Sequence, residues 1–118
     1  MILADTSVWI ELFRRGERTL QALLEEGQVV THEFVLGELA CGSLHDRPGT
    51  LRLLKQLPSI PSAQHEEVMN LVEMNRLHGL GLGWIDMHLL AAARLGACEL
   101  YTLDRKLGEA AKQLHIGM

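Results

Sequence analysis

Two aspartates directly follow short apolar runs of the kind that form buried strands. Asp5 comes after Met1-Ile2-Leu3-Ala4, and Asp104 comes after Leu100-Tyr101-Thr102-Leu103. If both runs are parallel strands, their carboxyl ends meet at one sheet edge, where open parallel sheets bind ligands. Two carboxylates in one crevice repel each other unless a cation joins them. The alternative is that each aspartate only caps the helix that follows it.

Two further acids could reach the same edge. Asp86 lies in the first turn of an apolar helical segment, and a return by way of Gly96 and the third strand would bring that turn beside Asp104. Glu38 interrupts an apolar stripe at helical spacing, where a buried carboxylate needs a partner. Helix capping is the alternative for Asp86, and a solvent-exposed helix face is the alternative for Glu38.

Elements that would position these acids follow from hydrophobic periodicity and from the placement of glycine and proline. Short apolar segments predict strands over residues 2–4, 28–31 and 98–103. Helical spacing predicts helices over residues 8–15, 17–26, 33–41, 50–57, 63–78, 85–95 and 105–114. Strands that alternate with helices indicate a parallel sheet covered on both faces, and the surplus helices indicate a helical lobe around residues 50–78.

Length and composition favour one folded domain over residues 1–118, with 47% hydrophobic and 22% charged residues. The net charge of -4 speaks against a generally basic nucleic-acid surface, although cations on clustered carboxylates would reverse the sign locally. No secretory signal or membrane-spanning run appears, so we expect a cytoplasmic protein with no membrane association. Cys41 and Cys98 are expected to be reduced thiols.

Four motifs together resemble the PIN domain of VapC-type toxins. They are Ala4-Asp5-Thr6-Ser7-Val8-Trp9-Ile10-Glu11, Val35-Leu36-Gly37-Glu38-Leu39-Ala40-Cys41-Gly42, Asp86-Met87-His88-Leu89-Leu90-Ala91-Ala92-Ala93 and Leu100-Tyr101-Thr102-Leu103-Asp104-Arg105. Each motif is weak alone, but the resemblance runs nearly the full length of the chain. It implies a three-layer α/β/α sandwich with a short central parallel sheet and a small helical lobe.

The resemblance also implies an activity, because members of the family are divalent-metal-dependent ribonucleases. Matching motif by motif carries the catalytic and metal-binding role to Asp5, Glu38, Asp86 and Asp104. Such toxins form homodimers and bind a cognate antitoxin, which makes RNA and an antitoxin the expected partners. The apolar residues of the first two helical segments are candidates for that protein contact: Trp9, Ile10, Leu12, Phe13, Leu20, Leu23 and Leu24.

Carboxylate ligands suit a hard cation, so Mg²⁺ or Mn²⁺ is the expected cofactor. Thr6 and Thr102 stand beside matched acids and could orient a ligand or water, with capping or strand packing as the alternative. Many family members carry a further acid or Asn just past the fourth acid, whereas this chain has Arg105 and Lys106. That difference leaves open whether the site holds one metal ion or two. Arg105 and Lys106 could instead meet a substrate phosphate, with solvated cations at a helix start as the alternative.

Two other functions remain open at this point. A phosphatase of the haloacid-dehalogenase type also begins with a strand that ends in Asp, but it uses a second Asp two positions on, where this chain has Ser7. The chain could also be a catalytically silent PIN-like interaction module whose acids serve only as helix caps.

Overall fold

Three short parallel strands form the sheet at the centre of the computed structural model, which describes residues 1–118. They are β1 (Ile2–Ala4), β2 (Val29–Val30) and β3 (Glu99–Tyr101), in the order β2-β1-β3. Ile2 pairs with Val29 on one side and with Glu99 on the other. The carboxyl end of β1, and therefore Asp5, lies in the middle of the sheet edge.

Seven helices surround this sheet. They are α1 (Thr6–Arg15), α2 (Arg18–Glu25), α3 (Glu33–Cys41), α4 (Arg47–Lys55), α5 (His65–Asn75), α6 (Trp84–Leu95) and α7 (Arg105–Gln113). Each corresponds to a predicted helix. Helix α4 begins before the predicted residue 50 because Pro48 falls in its first turn, where a proline is tolerated, and helix α5 is shorter than predicted at both ends. None of the helices combines the length and the apolar character required to cross a membrane.

Strand β3 ends earlier than predicted. The sequence predicts a strand over residues 98–103, but the ladder stops at Tyr101, whose carbonyl accepts a hydrogen bond from the Asp5 amide at 3.0 Å. The chain then leaves the sheet because the Leu103 amide donates to the Ser7 hydroxyl at 3.0 Å. Asp104 therefore follows a short connection and does not terminate the strand, which corrects the prediction.

The core forms around β1 and α6. Strand β1 is buried along its whole length, as expected for a central parallel strand, and α6 buries seven consecutive residues from Met87 to Ala93. One cluster of 25 buried residues joins the sheet to the helices on both faces. Helix α5 packs on α6 and helix α4 on α3, which supplies the helical part expected around residues 50–78. The predicted α/β architecture with a short central parallel sheet is confirmed.

His32 begins helix α3 from inside the core. Its side chain is fully buried, its Nδ1 accepts a hydrogen bond from the Phe34 amide at 3.0 Å, and its Nε2 lies 3.2 Å from the Ser62 hydroxyl. Burial lowers the pKa of His32, although the charge of Glu33 acts in the opposite direction. Burial also lowers the pKa of His88. Both residues are therefore held as neutral imidazoles.

We expect the free energy of unfolding to decrease as the pH falls from 7 to 5. A histidine whose pKa is lowered by folding takes up its proton more readily in the unfolded chain, where the pKa stays near 6.5. His32→Asn should flatten this dependence, because an Asn oxygen can cap α3 without titrating. Urea unfolding at pH 5, 6 and 7 measures it, and the same slope in both proteins would contradict the assignment. Any slope left in the variant is expected from His88.

Candidate active site

Asp5 is a buried carboxylate at the point where β1 turns into α1. Its side chain is only 6% exposed. Oδ1 accepts hydrogen bonds from the Ser7 hydroxyl at 2.5 Å and the Val8 amide at 3.3 Å, and Oδ2 accepts one from the Thr102 hydroxyl at 2.5 Å. Asp5 therefore caps α1, as the alternative interpretation predicted, and is also joined to the segment after β3.

Burial raises the pKa of the Asp5 carboxyl above its ordinary value of 3.8. The hydrogen bonds from Ser7, Thr102 and the Val8 amide lower the pKa in part, because they favour the ionised form. A bound cation would favour the ionised form further. The site thus contains a desolvated carboxylate with donors on both oxygens and no protein cation in an ion pair with it.

Thr102 links Asp5 to Asp104. Its hydroxyl donates to Asp5 Oδ2 and accepts a hydrogen bond from the Asp104 amide at 3.0 Å. Asp104 is exposed and caps α7, with its Oδ1 accepting from the Leu107 amide at 3.0 Å. A single side chain, that of Thr102, therefore connects the Asp5 carboxylate to the backbone of Asp104 by hydrogen bonds.

Ser7 is a member of this network that sequence reasoning missed. Its hydroxyl donates to Asp5 and accepts from the Leu103 amide, so it holds the turn after β3 against the start of α1. The available signal was its spacing: a serine two residues after a capping aspartate can bond to that aspartate and to a nearby chain segment. The sequence could not identify Leu103 as the second partner.

Glu38 joins the same region through Thr6. The Thr6 hydroxyl donates to Glu38 Oε1 at 2.8 Å, which gives this predicted residue an orienting contact and ties α1 to α3. The apolar stripe suggested a buried carboxylate, but Glu38 is exposed, so that part of the expectation is wrong. The stripe continues to the buried Val35 and Leu39, and Glu38 lies beside them on the outer face.

Asp86 is the one proposed acid whose only hydrogen bond involving a side chain lies within its own helix cap. It is half-buried in the first turn of α6, and its Oδ2 accepts a hydrogen bond from the Gly83 amide at 3.1 Å, which forms the helix cap. No hydrogen bond connects it to Asp5, Glu38 or Asp104. Its capping role agrees with the alternative stated from the sequence, and its role as a ligand stays a prediction.

The oxygen donors suit a hard cation, although they are not gathered around one point. No three acidic, histidine or cysteine side chains lie close enough together to hold a metal ion between them. Glu38, Asp86 and Asp104 each use one carboxylate oxygen in a hydrogen bond within the protein, and the other oxygen of each accepts none. Helix capping therefore leaves oxygens available for coordination, and carboxylate oxygens are what Mg²⁺ and Mn²⁺ prefer.

Two cations follow Asp104 at the start of α7. Arg105 forms an exposed ion pair with Glu109 at 3.4 Å, a contact of a kind that stabilises a protein by about 0–1 kcal/mol. Lys106 lies against the loop before α6, so closely that a Cβ at Gly81 would be 2.7 Å from its Nζ. Neither cation is held in the core.

This fold, with a buried aspartate at the end of the central strand, is that of the PIN-domain family, and the chain belongs to it: the family's sequence model matches residues 2–113. Among curated proteins, ribonuclease VapC32 of Mycobacterium tuberculosis, from strains CDC 1551 and H37Rv, is 40% identical over 119 residues. The match covers 100% of this chain and 96% of that protein.

Among solved structures, the chain is similar to Mycobacterium tuberculosis VapC20, described as a Sarcin-Ricin loop cleaving toxin. The TM-score is 0.64 at 20% sequence identity, over 93% of this chain and 95% of that one. At this identity the likeness bears on the fold alone. The resemblance to PIN domains that the four motifs indicated is confirmed, and the haloacid-dehalogenase alternative is set aside.

We expect Thr102→Val to lower the free energy of unfolding by about 1–3 kcal/mol at pH 7, because it removes the donor to a buried carboxylate and the acceptor of the Asp104 amide. Thr31→Val is the matched control. The Thr31 hydroxyl is buried without a hydrogen-bond partner, so its removal should be neutral or stabilising. Urea unfolding compares the two variants, and equal effects would contradict the bridging role of Thr102.

Proposed function

We propose that this chain is a divalent-metal-dependent endoribonuclease and the toxin of a VapBC-type toxin–antitoxin pair. The observation that carries the proposal is the desolvated Asp5 carboxylate at the end of the central strand, joined through Thr102 to Asp104. Support comes from the 40% identity to ribonuclease VapC32 over the whole chain. The substrate is RNA, and the reaction is hydrolysis of a phosphodiester.

Asp5, Glu38, Asp86 and Asp104 are the proposed catalytic and metal-binding residues, with Mg²⁺ or Mn²⁺ as the cofactor. A bound divalent cation would orient the phosphodiester, lower the pKa of a water molecule and balance charge on the leaving oxygen. Asp5 is the pre-positioned ligand, since Ser7 and Thr102 hold both of its oxygens. Glu38 and Asp104 are exposed, so their side chains can turn towards Asp5 without disturbing the core.

The remaining proposed roles belong to the neighbours of these acids. Thr6 orients Glu38, and Thr102 orients Asp5 through the hydrogen bonds already described. Arg105 contacts a substrate phosphate, for which it has to release only an exposed ion pair with Glu109. Because the chain carries a net charge of -4, RNA binding depends on the cation and on a few such local contacts.

An apolar groove is the proposed contact for the antitoxin. It has a volume of about 510 Å³ and is lined by Trp9, Phe13, Leu24, Thr50, Leu53, Leu54, Gln56 and Leu57. Phe13 is 42% exposed and Leu53 is 67% exposed. Trp9 and Leu20, which the sequence offered as candidates together with Phe13, are buried.

We further propose a homodimer that acts in the cytoplasm as one domain over residues 1–118. Light scattering at high micromolar concentration tests the dimer, and a monomer there would count against it.

We expect purified protein to cleave total RNA in the presence of Mg²⁺ or Mn²⁺, and Asp5→Asn and Asp104→Asn to abolish the cleavage. Both variants should stay folded, because burial already disfavours the charge of Asp5 and an Asn oxygen can cap either helix. Asp46→Asn is the control, since Asp46 is exposed in the turn before α4 and its side chain makes no hydrogen bond to that helix. Mapping the cleaved ends identifies the substrate, and full activity in both site variants would refute the assignment.

A metal site that exists only in the folded protein should also raise the melting temperature. We expect Mn²⁺ at millimolar concentration to stabilise the wild-type protein and Asp46→Asn, and to leave Asp5→Asn unchanged. Thermal unfolding monitored by circular dichroism measures the shift without reference to activity. Equal curves with and without Mn²⁺ would favour a catalytically silent PIN-like interaction module.

A further inference from the structure

An open depression lies beside Glu38, between α3 and the first turn of α6. Its volume is about 310 Å³, and it is lined by Glu33, Phe34, Gly37, Glu38, Cys41 and Ile85. The lining is mostly uncharged apart from the two carboxylates. Glu38 belongs both to this depression and to the proposed catalytic acids, so whatever binds here is close to the reacting group.

Aromatic rings continue from this depression along α6. The ring of Phe34 lies 4.8 Å from that of His88, and the ring of Trp84 lies 4.9 Å from His88 on the same helix. The His65 ring, 5.2 Å from Trp84, supports the indole further. Trp84 nevertheless remains 42% exposed. These contacts hold an exposed indole in a defined orientation at the start of α6, directly before Ile85, which lines the depression.

Gly37 keeps the surface of α3 open within the depression. A Cβ built at this position would meet no atom within 4 Å, and the backbone there is ordinary helix, so packing does not require a glycine. Glycine inside a helix destabilises the helix relative to alanine. A residue that lowers stability and serves no packing contact is explained if the space above it is used for binding.

The charge of the depression narrows the choice of ligand. Where no cation is bound, the carboxylates of Glu33 and Glu38 would repel a phosphate, but they can accept hydrogen bonds from the N–H groups of a neutral ring. A flat ring with N–H donors is also what aromatic side chains stack against in single-stranded RNA recognition. A nucleobase has all of these properties.

We propose that this depression binds an unpaired nucleobase of the RNA substrate next to the cleaved phosphodiester. Phe34 within the depression and Trp84 at its border provide stacking surfaces, and Gly37 leaves room for the base. The Oε1 of Glu33 already accepts a hydrogen bond from the Ser62 hydroxyl, so Oε2 is the oxygen that accepts one from the N–H groups of the base. The inference rests on the proposed ribonuclease function. It adds a recognition site for a base to the cluster of acids that would act on the phosphate.

The test compares a cleavage-resistant, mixed-sequence 2′-O-methyl RNA 12-mer with the same backbone carrying abasic riboses, in the wild-type protein with Mg²⁺. Both oligomers have the same phosphate charge, so the ratio of their dissociation constants isolates the contribution of the bases. We expect the base-bearing oligomer to bind at least about fivefold more tightly, given typical base stacking on aromatic residues. Trp84→Leu should lower that ratio by a similar factor and remove the quenching of indole emission that RNA causes.

Leu95→Ala is the matched control, because Leu95 is 61% exposed on α6 but lies eleven residues from Trp84, or about 16 Å along the helix axis. Its ratio should equal that of the parent protein. Gly37→Ala should raise the melting temperature by a few degrees while it lowers the ratio, and a purely structural role of Gly37 would not produce these opposite signs.

Equal ratios in the parent, Trp84→Leu and Gly37→Ala would overturn the inference, and so would equal binding of the base-bearing and abasic oligomers. Binding of an arginine-bearing antitoxin peptide would also overturn the inference if the peptide occupied this depression without changing the ratio of the two dissociation constants. In that case the ring surface would serve cation–π contacts with a protein and not a nucleobase. Cleavage of total RNA by the wild-type protein distinguishes the two failures. If the binding test is negative but cleavage occurs, only the base site is refuted. If cleavage is also absent, the proposed function is refuted as well.

Discussion

The buried carboxylate of Asp5 is the constraint on which the rest of the site depends. A carboxylate removed from water has to be compensated, and in this protein the donors are two hydroxyls and one backbone amide. Ser7 is local, but Thr102 comes from the opposite part of the chain, so satisfying Asp5 requires β3 to end beside β1. The interaction that holds the carboxylate thereby determines where the segment carrying Asp104 leaves the sheet.

Helix capping does not exclude ligand binding by the same residues in this fold. Asp5, Asp86 and Asp104 each stabilise the start of a helix, and helices that begin at one sheet edge bring their caps towards that edge. The two interpretations of each aspartate that the sequence left open are therefore compatible. One oxygen satisfies the helix, and on Asp86 and Asp104 the other oxygen has no hydrogen-bond donor within the protein.

The structure differs from the sequence prediction where contacts between distant parts of the chain set the end of an element or the exposure of a residue. All three strands and all seven helices were predicted from periodicity and punctuation, because these depend on local pattern. The length of β3 was not predicted correctly, because the hydrogen bond from the Leu103 amide to the Ser7 hydroxyl turns the chain out of the sheet before the apolar run ends. The exposure of Glu38 was only the alternative interpretation, because periodicity places a residue on a helix face without showing what covers that face.

Local propensity and helix caps are written along the chain, so the α/β pattern and the order of its elements can be read from the sequence. The PIN-like fold and the role of the four acids came from the resemblance of four motifs to that family. The way in which those acids are connected becomes visible only in the folded chain. The tertiary structure joined Asp5 to Asp104 through Thr102 and Glu38 to Thr6, and it left Asp86 on its own cap. The physical reason is that these hydrogen bonds link residues up to 97 positions apart, and no local pattern specifies which hydroxyl reaches which carboxylate.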